Sequence, residues 1–241
     1  MTLIINKEKI IFIKGSKVAG SSFELALSRF TSDNDIITPL NNDEEVLRQE
    51  LEIPNPKNYE YKYSELFKKN KTLFIKSLIL RKKYSKFETH ETAENIQKKI
   101  SPKIWSDYKK IAIIRNPYTF LVSAYYWANR NNKFNDINEF VENRVDVLDR
   151  FKKFYFIENS DVVDIYLRFE NLNEDILHLE TLYPSFNGLK TIFTEFNLKK
   201  GIKPKNLDEI ELLKKYPNLI QKINKKMQYF FEKFNYEMIN I

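Results

Sequence analysis

Apolar residues come in short runs separated by charged turns, and the period of the runs changes along the chain. Ile10-Ile11-Phe12-Ile13 is continuous and apolar, stops at Lys14-Gly15-Ser16-Lys17, and gives way to Phe23, Leu25, Ala26, Leu27 and Phe30 at near-helical spacing. This pattern predicts buried strand, turn and helix. Thr72-Leu73-Phe74-Ile75-Lys76 and Ile111-Ala112-Ile113-Ile114 are further strand candidates, the second running straight into Arg115-Asn116-Pro117. Continuous apolar strands are the pattern of a sheet covered on both faces. Asn116 suits an N-cap, and Pro117 the first position of a helix carrying Leu121, Val122, Tyr125 and Tyr126. Val162-Val163-Asp164-Ile165-Tyr166-Leu167 supplies a fourth strand, followed by a helix over 171–183. A last helix over 217–234 shows an apolar stripe from Leu219 to Phe234. Strands alternating with helices predict an α/β fold with a central, mostly parallel sheet flanked by helices, in which ligands bind at the carboxyl ends of strands. The polar stretches 31–70 and 184–206 lack a strand pattern and are expected to be insertions or lids over that edge, within a single domain spanning 1–241.

Composition narrows the chemistry. With 42% hydrophobic residues in 241, the chain has apolar material for one sizeable core. Lys plus Arg number 40 against 33 for Asp plus Glu, a net charge of +7 that favours an anionic ligand. Lysine pairs such as Lys68-Lys69, Lys82-Lys83 and Lys152-Lys153 are scattered among acids rather than gathered in one arm, so no nucleic-acid partner is expected. The absence of cysteine excludes disulfides, thiolate metal sites and thiol nucleophiles. His90 and His178 stand far apart, and no metal is expected. The opening run, Met1-Thr2-Leu3-Ile4-Ile5-Asn6-Lys7, meets charge before a signal or membrane span is complete, so a cytoplasmic protein with no membrane partner is expected.

Two segments carry candidate chemistry. After the first strand, Gly15-Ser16-Lys17-Val18-Ala19-Gly20-Ser21-Ser22 opens a helix, where backbone N–H groups and the helix N-terminus can hold a phosphate. The same residues also fit an ordinary strand-to-helix turn with a capping serine. An ATP-type P-loop requires Lys immediately after the second Gly, but Ser21 stands there and Lys17 lies inside the loop, which disfavours nucleoside triphosphate hydrolysis. At the third strand end, Arg115 leaves the sheet at the same edge and Ser123 lies about two turns along the next helix, within reach of one anionic group. An Arg paired to a local carboxylate and a solvent-facing Ser is the other reading of that segment.

The two segments together resemble the sulfotransferase family, in particular its carbohydrate (family 2 type) branch, whose loop reads like P-K-T-G-G-T-S and whose second motif reads like R-N-P-x-x-R-x-x-S-x-Y. The resemblance extends to His90-Glu91-Thr92-Ala93, to Trp105-Ser106-Asp107-Tyr108, to Asp164 through Leu172 and to Phe234-Asn235-Tyr236-Glu237. It implies a P-loop-like three-layer sandwich and a donor, 3′-phosphoadenosine 5′-phosphosulfate, leaving as adenosine 3′,5′-bisphosphate without a metal. Ser16 to Ser22 would hold the 5′-phosphate, Arg115 and Ser123 the 3′-phosphate, Lys17 would meet the charge on the leaving oxygen, and Lys199-Lys200-Gly201 matches a basic loop over the 3′-phosphate. His90 takes the place of the general base, with Glu88 and Glu91 as alternatives; an unperturbed imidazole, with a pKa of roughly 6.5, suits that task. The acceptor implied is a hydroxyl, most readily on a glycan, because sugars dock on aromatic faces such as those of Tyr125-Tyr126-Trp127. Three positions depart from the family pattern: Ser16 replaces Pro, Ala19 replaces the first loop Gly, and Phe120 replaces the second Arg. A positive φ at Ala19 would cost about 1 kcal/mol or more. Arg168 and Glu170 are expected to form a structural ion pair, and His178 to lie at a core boundary. The alternatives are a P-loop nucleotide or sugar kinase and a non-catalytic anion- or RNA-binding module.

Overall fold

The computed structural model describes residues 2–144, 146–196, 204 and 206–240. Strands β1 (Thr2–Ile5) and β2 (Ile10–Ile13) open the chain and lead into helix α1 (Gly20–Ser28) and the short strand β3 (Ile36–Ile37). There follow α2 (Asn42–Glu50), α3 (Tyr63–Lys69), α4 (Lys71–Leu80), α5 (Ala93–Lys99) and α6 (Pro102–Asp107). Strand β4 (Lys109–Ile114) runs into α7 (Pro117–Ala128), and α8 (Ile137–Asn143), α9 (Val147–Lys153) and a hairpin of β5 (Phe156–Ile157) and β6 (Ser160–Asp161) precede β7 (Ile165–Arg168). The chain continues through α10 (Leu172–Leu182), α11 (Leu189–Glu195), α12 (Glu209–Lys214) and α13 (Pro217–Phe234).

The five-stranded sheet has the order β3-β1-β2-β4-β7. Its centre is parallel, β4 pairing with both β2 and β7, but β1 is antiparallel to β2 and to β3. The sheet is therefore mixed, a correction to the mostly parallel expectation. The cause is local: β1 and β2 are joined by a tight turn closed by the Lys9 N–H on the Asn6 carbonyl at 3.3 Å, with Lys9 left-handed at φ 53°, and so short a connection permits only antiparallel pairing.

Successive strand side chains alternate between two apolar clusters. Ile11, Ile13, Ala112 and Ile114 pack with residues of α7 and α13, while Ile10, Phe12, Ile111 and Ile113 pack with residues of α1, α10 and α11. Both faces are covered, which is why these runs carry no polar alternation. The α13 stripe is buried from Leu219 to Phe231, and Asn235, left-handed at φ 51°, ends the helix.

Two strand expectations are overturned. Thr72-Leu73-Phe74-Ile75-Lys76 is helix α4, not strand: the Asn70 side chain accepts from the Leu73 N–H at 3.0 Å, and Phe74 packs edge-on against Phe67 of α3. The fourth strand begins only at Ile165, because Asp164 turns to accept the Lys110 N–H at 2.8 Å. The stretch 31–70 and the described part of 184–206 contribute to the core: Ile37, Ile53, Phe186 and Leu189 are buried, β3 extends the sheet edge, and α11 packs on α1 and α10.

Candidate active site

Parallel pairing sets Ile13 opposite Ala112 and Ile114 opposite Arg168, so the chain leaves β2, β4 and β7 at one edge of the sheet. Arg115 leaves β4 there and turns toward the loop after β2. Its Nη1 donates to the Lys17 carbonyl at 3.1 Å and its Nε to Thr119 Oγ1 at 2.9 Å, while Nη2 lies 3.6 Å from the Glu209 carboxylate and the guanidinium stands 4.2 Å over the Phe169 ring. Two segments 98 residues apart are thereby tied together. Burial lowers the Arg115 pKa, with Glu209 and Glu170 opposing, and the group remains a cation. Ser123 is half-buried on α7 and makes none of the contacts that tie Arg115 to the loop.

Helix α1 starts at Gly20 with no capping side chain and no acidic residue in its first turn, so its positive end meets no anion of its own. Ser16 and Ser22 are half-buried, whereas Val18 is buried against the core and offers a ligand only its backbone. Lys17 and Ala19 are left-handed, at φ 61° and 59°. For an L-residue this conformation costs about 1–2 kcal/mol, part of which glycine would give back as lost chain entropy. Ala19→Gly is accordingly expected to raise stability by on the order of 1 kcal/mol, checked by urea unfolding; a less stable variant would mean that the loop does not hold this conformation. The Lys17 ammonium rests 4.0 Å over the Trp127 ring, which also faces the Arg130 guanidinium at 3.7 Å. Tyr125 is core and Tyr126 half-buried.

Lys14 is the residue that sequence reasoning passed over. It follows β2 as the first charged residue after an apolar run, yet it is only 3% exposed, and its Nζ donates to Ser21 Oγ at 2.8 Å. Ser21, accepting from Lys14, keeps its own proton to donate to an anion. Gly20 makes this possible: a Cβ there would stand 2.6 Å from Lys14 Cγ, so any larger residue would push the lysine stem aside. Beneath it Glu24 is fully buried, 3.7 Å from Lys14 Nζ, with neither carboxylate oxygen hydrogen-bonded. Burial, against the pull of Lys14, raises the Glu24 pKa from 4.5 to about 7. A raised folded pKa contributes stability that is complete below pH 4.5 and is lost as pH rises through about 7. The stability difference between wild type and Glu24→Gln is therefore expected to move against the wild type across pH 4.5 to 7, as read from melting temperatures. A difference constant over that window would contradict a titrating buried Glu24.

His90 reaches the same place from the other side of the sheet edge. Buried Phe87 and Ala93 pin the segment that carries it, and its ring meets Phe154 edge-on at 6.2 Å. Burial first, and then the Lys14 ammonium, push its pKa down to about 3, while a hydrogen bond with the Lys14 backbone pulls the other way. The expectation of an unperturbed imidazole is thus corrected: desolvation beside a cation keeps the ring neutral in the free protein. Its Nδ1 is buried without a partner. Of the alternative bases, Glu91 is 4% exposed, accepts the Glu88 N–H at 2.7 Å and is ion-paired to Lys99, so it fastens the loop; Glu88 is exposed.

Two peripheral expectations change. Arg168 pairs with Asp175 at 2.7 Å rather than with Glu170, which instead accepts from the Asn116 N–H and the Tyr236 hydroxyl, both at 2.8 Å. His178 is exposed on α10 and lines a cavity of about 340 Å³ that includes none of residues 15–22. Lys199-Lys200-Gly201 lies outside the described residues. Among the described residues no group of three or more His, Asp and Glu side chains is placed to hold a metal ion, and no helix is long and apolar enough to cross a membrane. No family model, no curated protein and no solved structure matches the chain.

Proposed function

We propose that the chain is a sulfotransferase that moves a sulfuryl group from 3′-phosphoadenosine 5′-phosphosulfate to a hydroxyl on a carbohydrate. The observation that carries this reading is the Arg115 to Lys17 hydrogen bond, which joins the two anion-binding segments at the carboxyl ends of adjacent parallel strands. The residues suit such a donor: an uncapped helix start, a serine held by a buried lysine, and three cations, Lys14, Lys17 and Arg115, around one loop. When bound, the donor supplies a sulfuryl group on a phosphate that can leave with the bridging electrons.

The chain's own groups divide the remaining work. The first-turn amides of α1 and the Ser21 hydroxyl bind the 5′-phosphate, and Arg115 with Ser123 binds the 3′-phosphate. Lys17, resting on Trp127, is the cation that meets negative charge as it grows on the bridging oxygen. His90 takes the proton of the acceptor hydroxyl as that oxygen bonds to sulfur; Nδ1 is its unpartnered atom, and reaching it requires the segment 88–91 to shift. Burial is the larger cause of the depressed His90 pKa and is relieved by that shift, while a bound phosphate offsets the second cause, the Lys14 charge. Support for a carbohydrate acceptor comes from the half-buried Tyr126 on α7, next in sequence to the Trp127 that carries Lys17, since sugars stack on aromatic rings.

A nucleotide or sugar kinase would share the loop but lacks its lysine, because Ser21 occupies that position and Lys14 is committed to it. The direct test is transfer of radiolabelled sulfate from 3′-phosphoadenosine 5′-phosphosulfate to a panel of glycans, with phosphoryl transfer from ATP assayed in parallel. Label on a glycan supports the reading. Label from ATP alone overturns it, and bisphosphate binding without any transfer leaves the non-catalytic anion-binding module.

A further inference from the structure

The basic charge of this protein is concentrated in one exposed hairpin. Residues 61–86 hold nine lysines and arginines against a single carboxylate, Glu65, a net +8 in a chain whose total is +7. Lys68-Lys69 and Lys82-Lys83, which pass in the sequence for pairs scattered among acids, both fall in this acid-poor stretch. Among the described residues the ion pairs of this segment are Lys83 with Glu60 at 3.2 Å and Lys86 with Glu65 at 2.7 Å.

The same hairpin carries the main exposed apolar surface. Helix α4 packs on α3 through Phe74, which meets Tyr63 and Phe67 edge-on. Its outer face is left uncovered: Ile75, Leu78, Ile79 and Leu80 are all more than half exposed, Ile79 at 74%. Ile75, Leu78 and Ile79 stand at i, i+3 and i+4 and so share one side, with Lys71 one turn before them and Arg81-Lys82-Lys83 just after. An aliphatic stripe bracketed by long cationic stems suits the boundary between lipid headgroups and acyl chains, where the stripe is buried and the ammonium groups reach back to anionic headgroups.

We propose that the α3–α4 hairpin docks the protein, lying flat, on an anionic lipid bilayer. This does not rest on the transferase reading, and it revises the expectation of no membrane partner, which concerned spanning segments. Charge selects this occupant: a second copy would bring another +8 face against the first, and an RNA would leave the aliphatic stripe in water. In sequence the hairpin joins the β3 edge, bridged at Lys57, to the segment that carries His90.

The test is co-sedimentation of the full chain with phosphatidylcholine vesicles with and without about 30% phosphatidylserine. Two variants accompany it, Ile75→Ser with Ile79→Ser and Lys76→Gln with Lys82→Gln; these sites are exposed, and melting temperatures verify the fold. The proposal expects pelleting with the phosphatidylserine vesicles only, weakened by salt and at least tenfold lower partitioning in both variants. No pelleting, equal pelleting with both vesicle types, unchanged partitioning in either variant, or a hairpin-dependent rise in mass without vesicles would each overturn it.

Discussion

Replacing Arg115 by Ala is expected to weaken binding of adenosine 3′,5′-bisphosphate by on the order of 2 kcal/mol, roughly thirtyfold, or more. The side chain is 7% exposed and its planar fork is already fixed by the Lys17 carbonyl, the Thr119 hydroxyl and the Phe169 ring, so little rotamer freedom remains to be lost when a phosphate arrives. Truncation removes the charge-assisted contact and also leaves the Glu209 carboxylate, 3.6 Å from Nη2, without that cation and facing the anion. Arg115→Lys keeps the charge but not the fork, and an intermediate loss is expected of it. Calorimetry decides: affinity unchanged in Arg115→Ala would remove Arg115 from the phosphate site.

The second large effect is kinetic. Lys17→Ala is expected to lower kcat by on the order of 10²–10³, with a much smaller change in donor affinity. The reason lies in which part of Lys17 does what. Its carbonyl, held by Arg115, shapes the loop and survives the substitution, whereas its ammonium, stacked over Trp127, is lost. Charge that grows only during transfer is then unmet, while the amides, Ser21 and Arg115 continue to bind. Loss of the stacked cation also changes Trp127 fluorescence, a readout independent of turnover. Steady-state kinetics showing equal losses in kcat and in affinity would make Lys17 a binding residue.

Much of the fold near the site was legible because its signals are local. The continuous runs at Ile10 and Ile111 became β2 and β4, Asn116-Pro117 capped α7, and the stripe from Leu219 became α13. Leu73-Phe74-Ile75 misled because a short apolar run suits strand and helix alike; Leu78-Ile79-Leu80, which lengthens it to the ten residues of α4, was the corrective signal. β1 was passed over because its three apolar residues, Leu3-Ile4-Ile5, carry no turn signal before them.

Within the site, the pairing of the loop with Arg115 followed from strand order, but the roles of Lys14 and Glu24 did not. A lysine after an apolar run reads as a strand end meeting water. Only the fold shows it passing over Gly20 into the interior, where it holds Ser21 and adds to the burial that depresses the basicity of His90. Perturbed pKa values arise from what surrounds a group in space, and no sequence spacing encodes them.

Thermal unfolding with each candidate ligand decides whether this loop and Arg115 form a site for adenosine 3′,5′-bisphosphate rather than for a triphosphate. Stabilisation by the bisphosphate is expected, amounting to about 2.7 kcal/mol at a hundred times its dissociation constant and falling to about 0.9 kcal/mol or less in Arg115→Ala at the same ligand concentration. Stabilisation by ATP or RNA with none by the bisphosphate would contradict it.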